Sequence, residues 1–456
     1  MEVFNFMSQY IPNTEADRRA MLDVIGVASI DELFSDIPAQ VRLAKALDLP
    51  EALSEPELAC HLRALSGKNK NLDELTCFLG AGSYDHFIPA AVDTIVSRGE
   101  FTTSYTPYQP EAAQGTLQAI FEYQTMVCEL TGMEVSNASM YDGATAAAEA
   151  MVIAAAETRR SRLLVSCSVN PETVRVLGTY CWSRGYELTV LPCKNGQLDR
   201  EALNAELSKG DVAALLLQTP SFFGVVEDLT GLADELHAAK ALLIVSTDLL
   251  ALGCLKAPGE FGADVVVGDG QSVGSSVSFG GPAFGFMAAT KKLMRKMPGR
   301  IVGRTKDVKG RNCYVLTLQA REQHIRREKA TSNICSNQNL CIVAASVYLS
   351  LMGPQGLREV DERILAKTAY AVDALVKTGK FRPAFAGAPA FREVVLICDE
   401  PVASLNARLL EAGILGGLDL SKSHPELGNA WLLAVTEQRT KEEIDRLVSI
   451  AAGGDR

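Results

Sequence analysis

The chain has 456 residues, 47% of them hydrophobic, which is enough to bury a large core and to build two or three domains. Its 44 Lys and Arg stand against 55 Asp and Glu, a net charge of −11, which argues against a nucleic acid or an anionic membrane as partner and favours a small molecule or another protein. The 11 cysteines are scattered with no C-x-x-C pair, beside only 5 histidines, so neither a zinc site nor a redox dithiol is signalled, and thiols in a reducing compartment are expected.

The opening stretch, "MEVFNFMSQYIPNTEADRR", has neither the apolar core of a signal peptide nor the basic, acid-poor amphipath of a transit peptide. No apolar run approaches the ~20 residues that a membrane span needs, so the chain is read as cytoplasmic and not membrane-bound. Residues 1–75 read as a helical arm, in which Ser29 and Ser54, each followed by acids, take N-cap positions. From Tyr141 the period changes. "YDGATAAAEAMVIAAA" is an Ala-rich helix, and "RLLVS", "ELTVLP", "VAALLLQTP", "ALLIVSTD", "ADVVVGD" and "AFGFMAA" are apolar runs of strand length that alternate with helical segments. Runs apolar throughout fit strands covered on both faces, so a mainly parallel sheet is expected in a large α/β domain over 76–325. A linking helix, "NICSNQNLCIVAASVYLSLMG", then leads into a smaller α+β domain, the two together spanning 326–456.

Such a sheet binds ligands beyond the carboxyl ends of its strands, where helix N-termini offer free N–H groups to anions. Two places qualify. Asp142-Gly143-Ala144-Thr145 opens the Ala-rich helix and suits either a phosphate or a plain N-cap. Asp248 ends "ALLIVSTD", where a carboxylate facing the pyridine nitrogen of pyridoxal phosphate would stand. The run "EFTTSYTPYQPEAAQG" holds Tyr105, Tyr108, Gln109 and Glu111 on a backbone stiffened by Pro107 and Pro110, which suits a pocket lining or a surface turn. "REQHIRREKATSN", with Arg326 and Arg327, is either a solvated basic face or an anion site. No G-x-G-x-x-G follows a first strand, and there is neither a Walker loop nor a Ser-His-Asp order.

Three long strings, "SYTPYQPEAAQGTLQAIFEYQTMVCELTGMEVSNASMYDGATAAAEA", "PGEFGADVVVGDGQSVGSSVSFGGPAFGFMA" and "REQHIRREKATSNICSNQNL", resemble the glycine decarboxylase P protein of the glycine cleavage system. The resemblance is to its N-terminal half, made in some organisms as a separate subunit 1, and it covers nearly the whole chain. It implies fold type I of the pyridoxal-phosphate enzymes, with a seven-stranded large domain, a small C-terminal domain and two homologous halves paired. It also implies that the cofactor is bound covalently by subunit 2 and not here, because the position of its lysine is taken by Gln271 or Ser272. The implied partners are subunit 2, glycine and the lipoyl-carrying H protein. Residues offered in trans to the shared site are sought in the Tyr105 to Glu111 loop and at Arg326 and Arg327.

Two other readings stand beside this one. An independent pyridoxal-phosphate enzyme would need a lysine elsewhere, such as Lys256 or Lys291. A non-catalytic scaffold or regulatory subunit would keep the fold without the chemistry.

Overall fold

Six apolar runs become strands because their β-branched and Leu side chains are covered on both sides by helices. In the computed structural model, which describes residues 12–454 except 44, 46, 320–322, 331 and 336, these strands are joined by a seventh. In chain order they are β1 (Val135–Ser136), β2 (Arg162–Ser166), β3 (Glu187–Leu191), β4 (Val212–Gln218), β5 (Leu242–Ser246), β6 (Val265–Asp269) and β7 (Gly285–Ala289), arranged β1-β7-β6-β5-β4-β2-β3. Strands β2 to β6 run parallel, while β7 is antiparallel to both β6 and β1. The exception to full burial is β3, an edge strand in which Val190 is half exposed.

The residues divide into two compact units, Met1–Lys70 and Asn71–Arg456. In the first, helix Glu15–Ile25 starts at a capping box in which Thr14 Oγ1 accepts from Asp17 N and Thr14 N donates to Asp17. Helix Glu55–Ser66 starts at Ser54, whose N and Oγ both donate to Glu57. Ser29, by contrast, opens only a 3₁₀ turn, Ile30–Phe34, with no capping bond from its side chain.

In the second unit, Thr76–Cys77 pairs with Ile414–Leu415, and Phe78 enters the C-terminal core. The chain therefore joins the C-terminal core, through a separate two-stranded sheet, before it enters the large sheet. An antiparallel hairpin, β8 (Ile301–Lys306) and β9 (Asn312–Thr317), follows β7. The helix Asn339–Lys377 has 39 residues and breaks at Gly353, just ahead of Pro354. Contrary to the sequence expectation, it is long and apolar enough to cross a membrane by length and composition, but it buries Ile342, Tyr348, Leu349 and Ile364 in the protein core. The last sheet is antiparallel, in the order β10 (Phe381–Pro383), β11 (Glu393–Cys398), β13 (Ala430–Ala434), β12 (Leu418–Asp419). Helices Val402–Glu411 and Lys441–Ala451 close its core around Trp431.

The cysteine expectation needs one correction. Cys167 and Cys193, which follow β2 and β3, form a disulfide with Cα atoms 6.2 Å apart. Adjacent parallel strands bring their carboxyl ends together, a proximity that sequence spacing does not reveal.

Candidate functional site

The carboxyl ends of β4, β5 and β6 meet the N-terminus of helix Gly143–Thr158 at a pocket of about 420 Å³. Its other walls include the loop Gly80–Tyr84, the start of helix Pro171–Arg184, and Phe391, Arg392 and Glu393 at the head of β11. Two glycines permit the close approaches. A Cβ on Gly80 would lie 2.4 Å from Glu393 Oε1, and one on Gly143 would lie 2.7 Å from Asp269 N.

Gln271 and Ser272, at the turn after β6, both line the pocket and are both fully engaged. Gln271 accepts from Tyr84 N at 2.9 Å and donates to Tyr84 O at 3.0 Å and Ser275 O at 2.8 Å. Ser272 Oγ donates to Asp248 Oδ2 at 2.9 Å. Among the described residues no lysine lines the pocket. Lys256 is exposed, over the Phe261 ring and 3.7 Å from Glu260, and Lys291 lies outside the lining, its N–H donating to Glu134. An independent enzyme built on either lysine has no support in this geometry.

Arg392 dominates the electrostatics. It is buried, with its backbone in the left-handed region at φ 59°, a conformation held by its surroundings rather than preferred. Its Nη2 lies 2.6 Å from Asp248 Oδ2, its Nη1 3.0 Å from His86 Nε2, and its guanidinium carbon 3.2 Å from the centre of the Tyr84 ring. Arginine offers donors only, so His86 Nε2 accepts and its Nδ1–H points to Glu437 Oε2, 2.7 Å away. Burial pushes the Asp248 carboxyl up, but the Arg392 guanidinium, helped by the Leu250 N–H that donates to Asp248 Oδ1, outweighs it and holds the group below its ordinary value. The neighbouring Glu393 is pushed up by burial against the pull of Arg392. It accepts from Tyr84 Oη at 2.7 Å and Ala81 N at 2.6 Å.

The helix N-terminus is also taken. Asp142 is its N-cap, accepting from Thr145 N at 2.7 Å, and Gly143 N donates to Asp269 Oδ2 at 3.3 Å. Of the two sequence readings for Asp142, the structure shows the cap. Burial, with Asp142 and Asp248 nearby, pushes Asp269 up to about 6. A pyridoxal phosphate here would meet carboxylates where its phosphate belongs and an arginine already on the carboxylate meant for its ring nitrogen. It would also find no amine to bind covalently. The residues present do not fit the cofactor.

The loop between helices Gly99–Thr102 and Gln114–Thr131 is elsewhere on the chain. Pro107 is buried, while Tyr105, Tyr108, Gln109 and Glu111 are exposed. Gln114 fixes the loop's end by donating to Pro110 O at 2.7 Å and Tyr314 O at 2.9 Å. Arg326 and Arg327 sit on short exposed turns, Gln323–Arg326 and Arg327–Lys329, while Arg321, Glu322 and Thr331 of that run lie outside the described residues. The cation that meets Tyr108 is Arg300, with Nη2 2.9 Å from the hydroxyl. Sequence reasoning missed Arg300 and Arg392. The available signal was a lone arginine entering an apolar strand, in "PGRIVG" and "FREVVLI".

Comparison with known proteins agrees with this architecture. The family model for the glycine cleavage system P-protein matches residues 8–451. A relative from Anoxybacillus flavithermus, named probable glycine dehydrogenase (decarboxylating) subunit 1, is 53% identical over 442 residues, covering 97% of this chain and 98% of its own. A crystal structure of glycine decarboxylase (P-protein) of the glycine cleavage system, in inhibitor-bound form, superposes with a TM-score of 0.88 at 42% identity, covering 98% of this chain and 100% of that one. Glutamate decarboxylase of Lactobacillus brevis, 11% identical with a TM-score of 0.69 over 91% of this chain and 96% of its own, shares the fold alone. The fold is type I of the pyridoxal-phosphate-dependent enzymes, and the chain belongs to the glycine cleavage system P-protein family.

Proposed function

We infer that this chain is subunit 1 of a glycine decarboxylase, acting in the cytoplasm with a second subunit that carries pyridoxal phosphate covalently. The observation that carries the reading is the pocket. It stands where fold type I enzymes work, yet Gln271 and Ser272 offer no amine and Arg392 engages Asp248. A chain built this way contributes to catalysis through a site on its partner. The pair takes glycine, releases CO2 and passes the aminomethyl group to the lipoyl arm of H protein, the cofactor supplying the electron sink. This chain's own part is to complete the partner's site with the loop carrying Tyr105, Tyr108, Gln109 and Glu111. Arg326 and Arg327 are a second candidate region. A scaffold role without catalytic contribution would make those side chains dispensable.

Expression of each chain alone and of both together tests this, with glycine–bicarbonate exchange as readout. Exchange should require both chains. Full exchange by subunit 2 alone would overturn the reading.

A further inference from the structure

Arg300 enters β8 directly after Pro298 and Gly299, and it is buried to 1% exposure. A buried guanidinium is normally paired with a carboxylate, because an unpaired charge away from water is costly. Here both side-chain hydrogen-bond partners among the described residues are neutral. Nη2 donates to Tyr108 Oη at 2.9 Å, Nη1 reaches Asn337 Oδ1 at 3.4 Å, and Nε has no partner among the described residues. Tyr108 also presents its ring to the cation, with the guanidinium carbon 5.2 Å from the ring centre.

The surroundings are short of partners as well. Asn137 Oδ1, Asn337 Nδ2 and Asn339 Oδ1 are buried and unpaired among the described residues. Asn137 belongs to the same knot, since its Nδ2 donates to Pro298 O at 3.0 Å and Ala138 N donates to Arg300 O at 2.7 Å. An unpaired buried polar group is costly, so a concentration of them around Arg300 is the mark of a surface completed by something else.

The direction of the Tyr108 bond fixes what that something offers. Arginine has no acceptor, so the hydroxyl oxygen must accept from Arg300, and its own hydrogen is left to point elsewhere. Tyr108 is 49% exposed, so its side chain reaches the surface of the chain. A donor backed by a cation that has no carboxylate partner among the described residues selects an anionic oxygen.

We propose that Tyr108, held and polarised by Arg300, donates a hydrogen bond to an anionic oxygen in the active site of the partner subunit. Arg300 is the positioning residue. The anionic oxygen is a glycine carboxylate or a cofactor phosphate. The proposal rests on the reading that the Tyr105–Glu111 loop reaches the partner's site, and it adds both the chemistry of what is held and the residue that enforces it.

The test uses the complex reconstituted with subunit 2, carrying Tyr108→Phe, Arg300→Met or Arg300→Lys, with assembly checked by sedimentation. Two equilibrium constants are measured. Glycine binding is followed by the cofactor spectrum, and pyridoxal phosphate binding by titration of the cofactor-free complex. Tyr108→Phe and Arg300→Met are expected to weaken one of these roughly 10- to 100-fold while leaving the other near wild type, with Arg300→Lys recovering part of the loss. Loss confined to glycine identifies the carboxylate, and loss confined to pyridoxal phosphate identifies the phosphate. Tyr108→Phe keeps the ring, so it carries the result alone where Arg300→Met fails to assemble. Both constants within twofold of wild type in an intact Tyr108→Phe complex overturn the proposal. Tyr108→Ala separates the two levels of the argument. If it lowers exchange while Tyr108→Phe does not change either constant, the loop remains at the shared site and only the donor role falls. If Tyr108→Ala is also silent, the placement of the loop falls with it.

Discussion

Arg392 brings its cation to Asp248, to the face of Tyr84 and to His86 within one buried shell. Replacing it by Met keeps much of the volume and leaves the Asp248 carboxylate buried without its counter-ion. The expected loss is about 3–5 kcal/mol of folding stability, measured by urea unfolding, and a loss under about 1 kcal/mol would contradict the assigned role. The same geometry predicts that restoring the amine is not enough. Gln271→Lys should bind no pyridoxal phosphate covalently, because Asp248 stays on Arg392 and the helix N-terminus stays on Asp142 and Asp269. Borohydride trapping of cofactor on that lysine would show that the missing amine was the sole obstacle. The absence of a lysine at Gln271 or Ser272 was legible in the sequence. The occupation of the pocket was not, because Arg392 and Glu393 reach it from the C-terminal sheet and no local pattern links them to Asp248.

Continuous apolar runs gave away six strands of the large sheet, since burial on both faces leaves no polar alternation to confuse them. Val135–Ser136 escaped because two residues carry no period, and the half-exposed edge strand Glu187–Leu191 has the weakest pattern of the set. The helix Asn339–Lys377 was legible only as far as Gly353, where Pro354 follows; its continuation to Lys377 and the burial of Asp361 within it were not. Burial pushes the Asp361 carboxyl up to about 8, so the folded chain prefers it protonated. Its stabilising contribution is therefore complete below the unfolded value near 3.8 and is lost as pH rises through about 8. Asp361→Asn removes that dependence. Relative to wild type, the variant should gain about 1.4 kcal/mol per pH unit across the window and level off above it, read by urea unfolding at a series of pH values. A difference that does not change with pH would show that Asp361 titrates as an ordinary carboxylate.

At the scale of the whole molecule, we propose that this chain is half of an enzyme. Arg392, Asp142 and Asp269 occupy its own pocket, and the Tyr105–Glu111 loop, whose Tyr105 and Tyr108 are exposed, is proposed to serve a neighbour's site. In the N-terminal unit the cap at Ser54 was readable from cap chemistry, whereas the cap at Thr14 went unread, Ser29 makes no capping bond, and nothing in one chain's sequence displays the pairing of two halves. The most direct measurement is to reduce the active two-subunit complex with borohydride and locate the pyridoxyl group by peptide mass spectrometry. The account predicts one labelled lysine on subunit 2, none on this chain, and glycine–bicarbonate exchange that disappears when this chain is left out. A pyridoxyl-lysine on this chain, at Lys256, Lys291 or elsewhere, would contradict it.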